Sequence, residues 1–289
     1  MSTTAPKLQD TKGSDWDAIA RNYKRFSTGP STQATKSLLA SVNAFLPFSH
    51  ATGILDNGCG PGPIISAIIE GHGADIPDST TLLAADFSQG MVDEVNATKA
   101  RGIEAGNETW KRVETKVLNA MDMEGVPDGS QSHVTAGWVY FMTPDPRKCL
   151  SETLRILKPG GVLGCTSWKG SQWLDAMNVF GEFKPDVTMP KMPEAWGSVE
   201  GVRTELEEAG FEDVLSEEVT VEMPFEDVGV LTKMLLYEMP MMKAMTKDLS
   251  EVEKEKLEQM IAAKVKESSA EHPGKLLGVA LVGLGRKKA

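Results

Sequence analysis

Thirteen residues, GILDNGCGPGPII (Gly53–Ile65), constrain this chain more than any other stretch. A short apolar run leads into glycines at alternate positions, Gly58, Gly60 and Gly62, and a second apolar run follows. The pattern predicts a strand, a tight turn and a helix. Glycine takes up positive φ freely and lets a backbone approach a ligand closely. Pro63 suits the first helical turn, where its missing N–H does no harm, and Gly71 suits the helix end.

The same alternation runs on. TTLLAADF, VETKVLNA, HVTAGWVYF and GGVLGCTSW read as strands; GMVDEVNATKARGIEAG and PRKCLSETLRIL read as the helices between them. Repeated strand–helix units give a parallel sheet covered on both faces. The last third reads differently. SVEGVRTELEEAGF is a helix ended by Gly210, EDVLSEEVTVEM a strand, and KLLGVALVGLG a terminal strand. Between those strands lies LSEVEKEKLEQMIAAKVKES, a charged helix opening with Ser250 and Glu253 at capping-box spacing. The expected fold is α/β: a doubly wound, mostly parallel seven-stranded sheet with an antiparallel C-terminal edge. Residues 1–13 read as a disordered tail and 14–289 as one domain. Within it, 14–48 form a helical cap, and 171–200 and 225–272 are insertions on the substrate side. The cap is expected as two helices, one over Asp15–Phe26 and a second stopped by Pro47. The methionine-rich KMLLYEMPMMKAM reads as a buried helix rather than a lid.

Composition excludes several classes. A net charge of −11 disfavours a nucleic-acid backbone as partner. No run approaches the roughly 18–20 apolar residues that span a bilayer, and the polar N-terminus has no signal-peptide core. A cytoplasmic protein, monomer or homodimer, without membrane contact is expected. Cys59, Cys149 and Cys165 lack paired metal spacing, so neither a disulfide framework nor a metal site is expected.

The glycine register then selects the ligand. A dinucleotide fingerprint needs its third glycine at residue 63, which is proline, and no Gly-Lys-Ser/Thr follows to make a phosphate loop. The chain reads acid-x-G-x-G-x-G instead, with Asp56 as the acid. Asp86, ending the second strand, is placed to accept both hydroxyls of a ribose. Phe87 or Met91 can cover an adenine face, and LNAMD offers Asn119, Ala120, Met121 and Asp122 around its edge. Cys59 reads as a small residue fitted beside the ligand rather than a reactive thiol.

Together, ILDNGCGPG, ADFSQGM, NAMD and LRILKPGG resemble the class I S-adenosylmethionine-dependent methyltransferases. The resemblance covers Asp15 to Trp168 well and the last third in outline. Within that superfamily the chain is similar to fungal small-molecule enzymes, including those that S-methylate dithiol metabolites such as gliotoxin. It implies S-adenosylmethionine as cofactor, Tyr23 (with Arg21 or Arg25) at its carboxylate, and Trp138 facing the transferred methyl. A phosphate-free ligand carrying a sulfonium and an ammonium also fits a loop without lysine or arginine and an acidic site.

Methyl transfer needs alignment and exclusion of water more than acid–base help. A phenol or alcohol gains from a general base, yet His50, His72, His133 and His272 all lie away from the strand carboxyl ends on this reading. No catalytic residue is assigned, and a thiol that ionises easily is the favoured acceptor among S, O and N. The acceptor pocket is expected among Trp138, Tyr140, Phe141, Trp168, Trp173 and Trp196, large apolar surfaces suited to a small-molecule substrate. The alternative is a fold relative that binds the cofactor without transferring methyl.

Overall fold

The structure is a computed structural model. It describes residues 12–17, 20–187, 189, 191–271 and 273–289, with the side chains of 21–30 and 240 set aside. Five parallel strands form its centre: β1 (Gly53–Asn57), β2 (Thr81–Asp86), β3 (Val113–Val117), β4 (Gln131–Gly137) and β5 (Leu157–Ser171). Strand β6 (Phe211–Phe225) pairs antiparallel with β7 (Gly274–Lys287), which itself runs antiparallel to β5. The order is β3-β2-β1-β4-β5-β7-β6, the seven-stranded mixed sheet expected. The chain winds outward from β1 to β3 and restarts at β4 on β1's other side. The carboxyl ends of β1 and β4 therefore open a crevice, where ligands bind in such sheets.

Strand β1 is buried along its whole length because helices cover both faces. Alternate residues serve different cores. Leu55 packs with Ala85, Val134 and Ala136, whereas Ile54 packs with Ile65, Ile68 and Leu82 of the opposite face. Helices α1 (Gly13–Asp17), α2 (Ala20–Phe45), α3 (Pro63–His72), α4 (Gln89–Glu104), α5 (Pro146–Ile156), α6 (Gln172–Phe183) and α7 (Val199–Ala209) precede β6. Helices α8 (Val228–Tyr237), α9 (Pro240–Thr246) and α10 (Glu251–Ser268) join β6 to β7. Ser88, Asp145, Ser171, Ser198 and Asp227 each cap a helix by accepting a backbone N–H of its first turn. Ser250 and Glu253 form the expected capping box, and Gly210 ends α7 at φ 103°. The methionine-rich stretch is helical, split between α8 and α9.

Three expectations change. Of the 1–13 tail, residues 1–11 lie outside the described residues, and Gly13 opens α1. The break expected between the two cap helices is absent: α2 runs from Ala20 through Gly29 and Pro30 to Phe45, while Asp15–Asp17 belong to the separate α1. An internal proline removes one helical bond and bends a helix, but packing can carry it on. Further along α2, Val42 and Leu38 press on Gly164 of β5, where a Cβ would meet their side chains at 2.5 and 2.9 Å. Strand β4 stops at Gly137 rather than running to Phe141, because Trp138 turns into the left-handed region at φ 56°.

Helix α2 runs against the strand direction. Its last carbonyls meet the other ends of the strands: His133 Nε2, early in β4, pairs with Leu46 O at 2.9 Å, and Arg286 donates to Phe45 O at 2.8 Å. Eleven helical residues back, Thr35 lies about 16 Å along the axis, much as Trp138 lies about 16 Å along β4 from His133. The stretch of α2 around Thr35 thus comes level with the crevice. The outer strand β6 is stitched inward by ion pairs: Glu212 to Lys288 (3.3 Å), Asp213 to Arg286 (3.2 Å), Glu218 to Lys169 (2.7 Å) and Glu222 to Lys275 (2.6 Å).

Candidate functional site

The glycine loop forms as its spacing predicts. Gly58, Gly60 and Gly62 have φ of 65°, 53° and 88°, values costly for other residues. They do different work. A Cβ at Gly58 would strike Val139, so that glycine lets the β1 and β4 ends come together. A Cβ at Gly60 would have no atom within 4 Å, which leaves a cradle beside the backbone.

Asp86 lies at the end of β2, 6 % exposed. One carboxylate oxygen accepts Gly60 N at 2.9 Å and the other accepts Ser88 N at 3.0 Å. Each oxygen keeps a free lone pair, so the group that shapes the loop can still receive two hydroxyls. Burial holds its pKa above the ordinary carboxylate value. Phe87 follows with 41 % of its surface exposed, a large ring left uncovered beside the cradle. Ala120 and half-buried Met121 stand at the turn after β3.

Other expected contacts are placed differently. Asp56 is fully buried; it accepts Ile65 N at 3.0 Å and Thr135 Oγ1 at 2.9 Å, tying α3 and β4 to β1. It braces the loop from behind instead of facing the crevice, and burial raises its pKa to about 7. Asn119 folds its side chain back to accept Met121 N at 2.9 Å, and Asp122 N donates to Asn119 O; both are turn residues. Met91 is 1 % exposed inside the first turn of α4. Cys59 is buried, and burial beside two carboxylates drives its thiol pKa up, so it is an inert filler. The Tyr23 side chain, with those of Arg21 and Arg25, lies outside the described residues.

The aromatic residues divide. Trp138 and Trp168 stack with ring centres 5.3 Å apart and planes 24° apart, and Trp173 meets Trp168 edge-on at 5.3 Å. Trp168 is half-buried, so this column reaches the surface. Phe141 and Trp196 are 2 % exposed; Tyr140 packs edge-on against Trp196 and bonds Thr153 Oγ1 at 2.7 Å. Those three belong to the core, not to an open pocket. Trp138 is held by its backbone N–H, which donates to Thr166 Oγ1 at 3.0 Å. Its left-handed backbone is a strain of about 1–3 kcal/mol that surrounding structure must enforce.

Sequence reasoning missed a set of buried polar atoms that lack partners among the described residues. Near the crevice these include Ser31 Oγ and Thr35 Oγ1 on α2 and Trp138 Nε1 after β4; others, such as Arg112 Nε and Thr232 Oγ1, lie elsewhere. The Asn57 amide at the end of β1, beside the Tyr140 hydroxyl, also makes no bond of good geometry. An orphaned buried group costs roughly 1–3 kcal/mol, and such groups are rare enough to call for a ligand or water. Serine and threonine inside a helix carry no sequence signal of this kind. His133 has both ring nitrogens occupied, by Ser132 Oγ and Leu46 O, and burial lowers its pKa to about 4; it is structural. Among the described residues no His, Cys, Asp and Glu cluster is arranged to hold a metal. No described helix is long and apolar enough to cross a membrane.

Residues 55–165 match the model of the methyltransferase domain family. The methyltransferase ucsB of Acremonium sp is 38 % identical over 275 residues, spanning 95 % of each chain. The chain belongs to the class I S-adenosylmethionine-dependent methyltransferases. The acetylaranotin bis-thiomethyltransferase of Aspergillus terreus is 28 % identical to this methyltransferase over 169 residues, 56 % of this chain and 54 % of that one. Among solved structures, the [4+2]-cyclase SpnF shares the fold at a TM-score of 0.54 and 18 % identity, covering 99 % of this chain and 98 % of its own.

The crevice suits the methyltransferase cofactor. A cradle at Gly60, a half-satisfied carboxylate at Asp86 and an uncovered ring at Phe87 match a nucleoside, and nothing in the loop demands phosphate. S-adenosylmethionine supplies, when bound, a methyl group already activated on a sulfonium.

Proposed function

We propose that this methyltransferase methylates a small secondary-metabolite acceptor at S, O or N, with a thiol favoured. The observation that carries the reading is the junction of the glycine cradle with the Trp138–Trp168–Trp173 column. An apolar, aromatic wall beside a cofactor crevice fits a small, largely apolar molecule rather than a polymer. In this reading Asp86 receives the ribose and Phe87 covers the adenine, with Ala120 and Met121 at its edge. The Ser31 and Thr35 hydroxyls serve the amino-acid end of the cofactor, and Asp56 and Gly58 hold the loop. Trp138 and Trp168 position the acceptor, while helices α6 and α8–α10, on the expected substrate-side insertions, close that side. Fungal relatives with bis-thiomethyltransferase and methyltransferase names support a metabolite acceptor and lean toward sulfur. Alignment and exclusion of water supply the rate, in keeping with buried, fully bonded His133.

SpnF carries the same fold under the name of a cyclase, so retention of transfer is the point to test. Incubation with S-adenosylmethionine and panels of thiols, phenols and amines, read by mass, should show a methyl gain matched by S-adenosylhomocysteine. Tight cofactor binding with no product from any panel would sink the reading.

A further inference from the structure

Three features converge on Trp138. Its backbone sits in the left-handed region, where a bulky residue stays only if its surroundings hold it. Its ring lies flat against Trp168, its backbone N–H is anchored to Thr166 Oγ1, and the side chain is 8 % exposed. Its indole N–H is nonetheless without a partner among the described residues. The position is the carboxyl end of β4, beside Val139, which touches the Gly58 turn. A rigid donor is therefore held at the carboxyl end of β4, between the Gly58 turn and the aromatic column, buried and without a partner among the described residues.

An indole N–H only donates. A thiolate or phenolate has lone pairs to spare, so one can accept this bond while another attacks. A neutral amine has one lone pair, which attack consumes, and its own N–H groups would face a donor. We propose, on the reading of the preceding section, that Trp138 Nε1–H donates to the acceptor atom itself and selects thiolate and phenolate acceptors over amines. The donor stabilises the ionised acceptor. The acceptor's proton passes to water before transfer. The freed lone pair then forms the bond to the methyl carbon, and the electron pair of the broken carbon–sulfur bond stays on sulfur. No protein base takes part. Because the ionised fraction grows up to about tenfold for each unit by which the acceptor pKa is lowered, while nucleophilicity falls more slowly, a weakly acidic acceptor gains rate.

The test uses the full chain saturated with S-adenosylhomocysteine and 4-nitrophenol as probe, whose visible absorbance reports its ionisation. Bound to the unaltered protein, 4-nitrophenol should ionise about one pH unit below its value in water. In Trp138→Phe, which keeps a stacking ring and loses the donor, it should bind comparably and ionise at or above its value in water, because burial disfavours the phenolate. With turnover, the acid limb of kcat for thiol acceptors should move up by a similar amount in the variant. 4-Nitroaniline should bind weakly and respond little to the substitution. An unchanged ionisation shift in Trp138→Phe overturns the proposal, as does equal methylation of amines and phenols by the unaltered protein. So does a probe that does not ionise more readily when bound, an arm that needs no variant. These failures leave methyl transfer standing; absence of product from every class would instead remove the underlying function.

Discussion

Asp86 carries two duties, which its substitution should separate. In Asp86→Asn one oxygen still accepts a backbone N–H, but the charge that receives the ribose is gone. Charge-assisted bonds are worth roughly 1.5–3 kcal/mol each. Calorimetry with S-adenosylhomocysteine should show affinity down by about 10- to 100-fold, a loss of about 1.4–2.8 kcal/mol. The glycines should part likewise. Gly60→Ala meets open space and only the positive φ of 53°, so it should cost about 1–2 kcal/mol of stability yet block the cradle and abolish cofactor binding. Gly58→Ala drives a methyl into Val139 as well, so urea unfolding should show the larger loss. Asp56 predicts a pH dependence. Its carboxyl rises from 3.8 to about 7 on folding, so between those values the folded chain holds a proton that the unfolded chain has lost. Stability therefore falls as pH rises through this window, by at most about 1.4 kcal/mol per pH unit. His133, lowered to about 4, has the opposite slope between pH 4 and its ordinary 6.5. Asp56→Asn can still accept Ile65 N and donate to Thr135, and it leaves the His133 slope in place. Urea midpoints should show wild type losing ground to Asp56→Asn from pH 5 to pH 8; parallel curves would refute the buried proton.

At the scale of elements, the N-terminal segment is tied to the cofactor corner by the Asp17 carboxylate. Asp17 of α1 accepts Ser88 Oγ at 2.5 Å and Gly90 N at 2.8 Å, and Ser88 in turn caps α4 next to Asp86. These bonds hold the Asp17 pKa below its ordinary value. Asp17→Ala should release α1 from α4, seen as faster proteolysis ahead of residue 20 and weaker S-adenosylhomocysteine binding, with the global unfolding midpoint nearly unchanged. Much of this architecture was legible in the sequence. The strands and helices announce themselves by apolar runs of the right period, and Gly210, Pro63 and the Ser250–Glu253 pair mark ends by local chemistry. What stayed hidden depends on tertiary packing. Gly29 and Pro30 lie between the two expected cap helices, yet α2 runs through both, and further along Leu38 and Val42 seat it on Gly164. A left-handed tryptophan has no local signature, so β4 looked longer than it is. Asp56 and Asp86 are both acids at strand ends, yet the pleat turns one toward α3 and leaves the other at the crevice.

The whole molecule places its chemistry where the strand order reverses, with α2 spanning the depth of the sheet from Phe45 at one end to Ser31 at the other. Its periphery is built on other terms. The outermost strand, β6, is joined to its neighbours by the ion pairs of Glu212, Asp213, Glu218 and Glu222, whose partners sit on β5, β7 and the C-terminal residues. Exposed pairs contribute about 0–1 kcal/mol each and are screened within about 8 Å at physiological ionic strength. The ladder between β6 and β7 is thus a seam whose tightness follows the medium. Raising salt should speed deuterium uptake in the outer half of the sheet while the β1–β4 amides keep their protection. Ionic strength thereby becomes a mild control on how readily this flank of the enzyme frays.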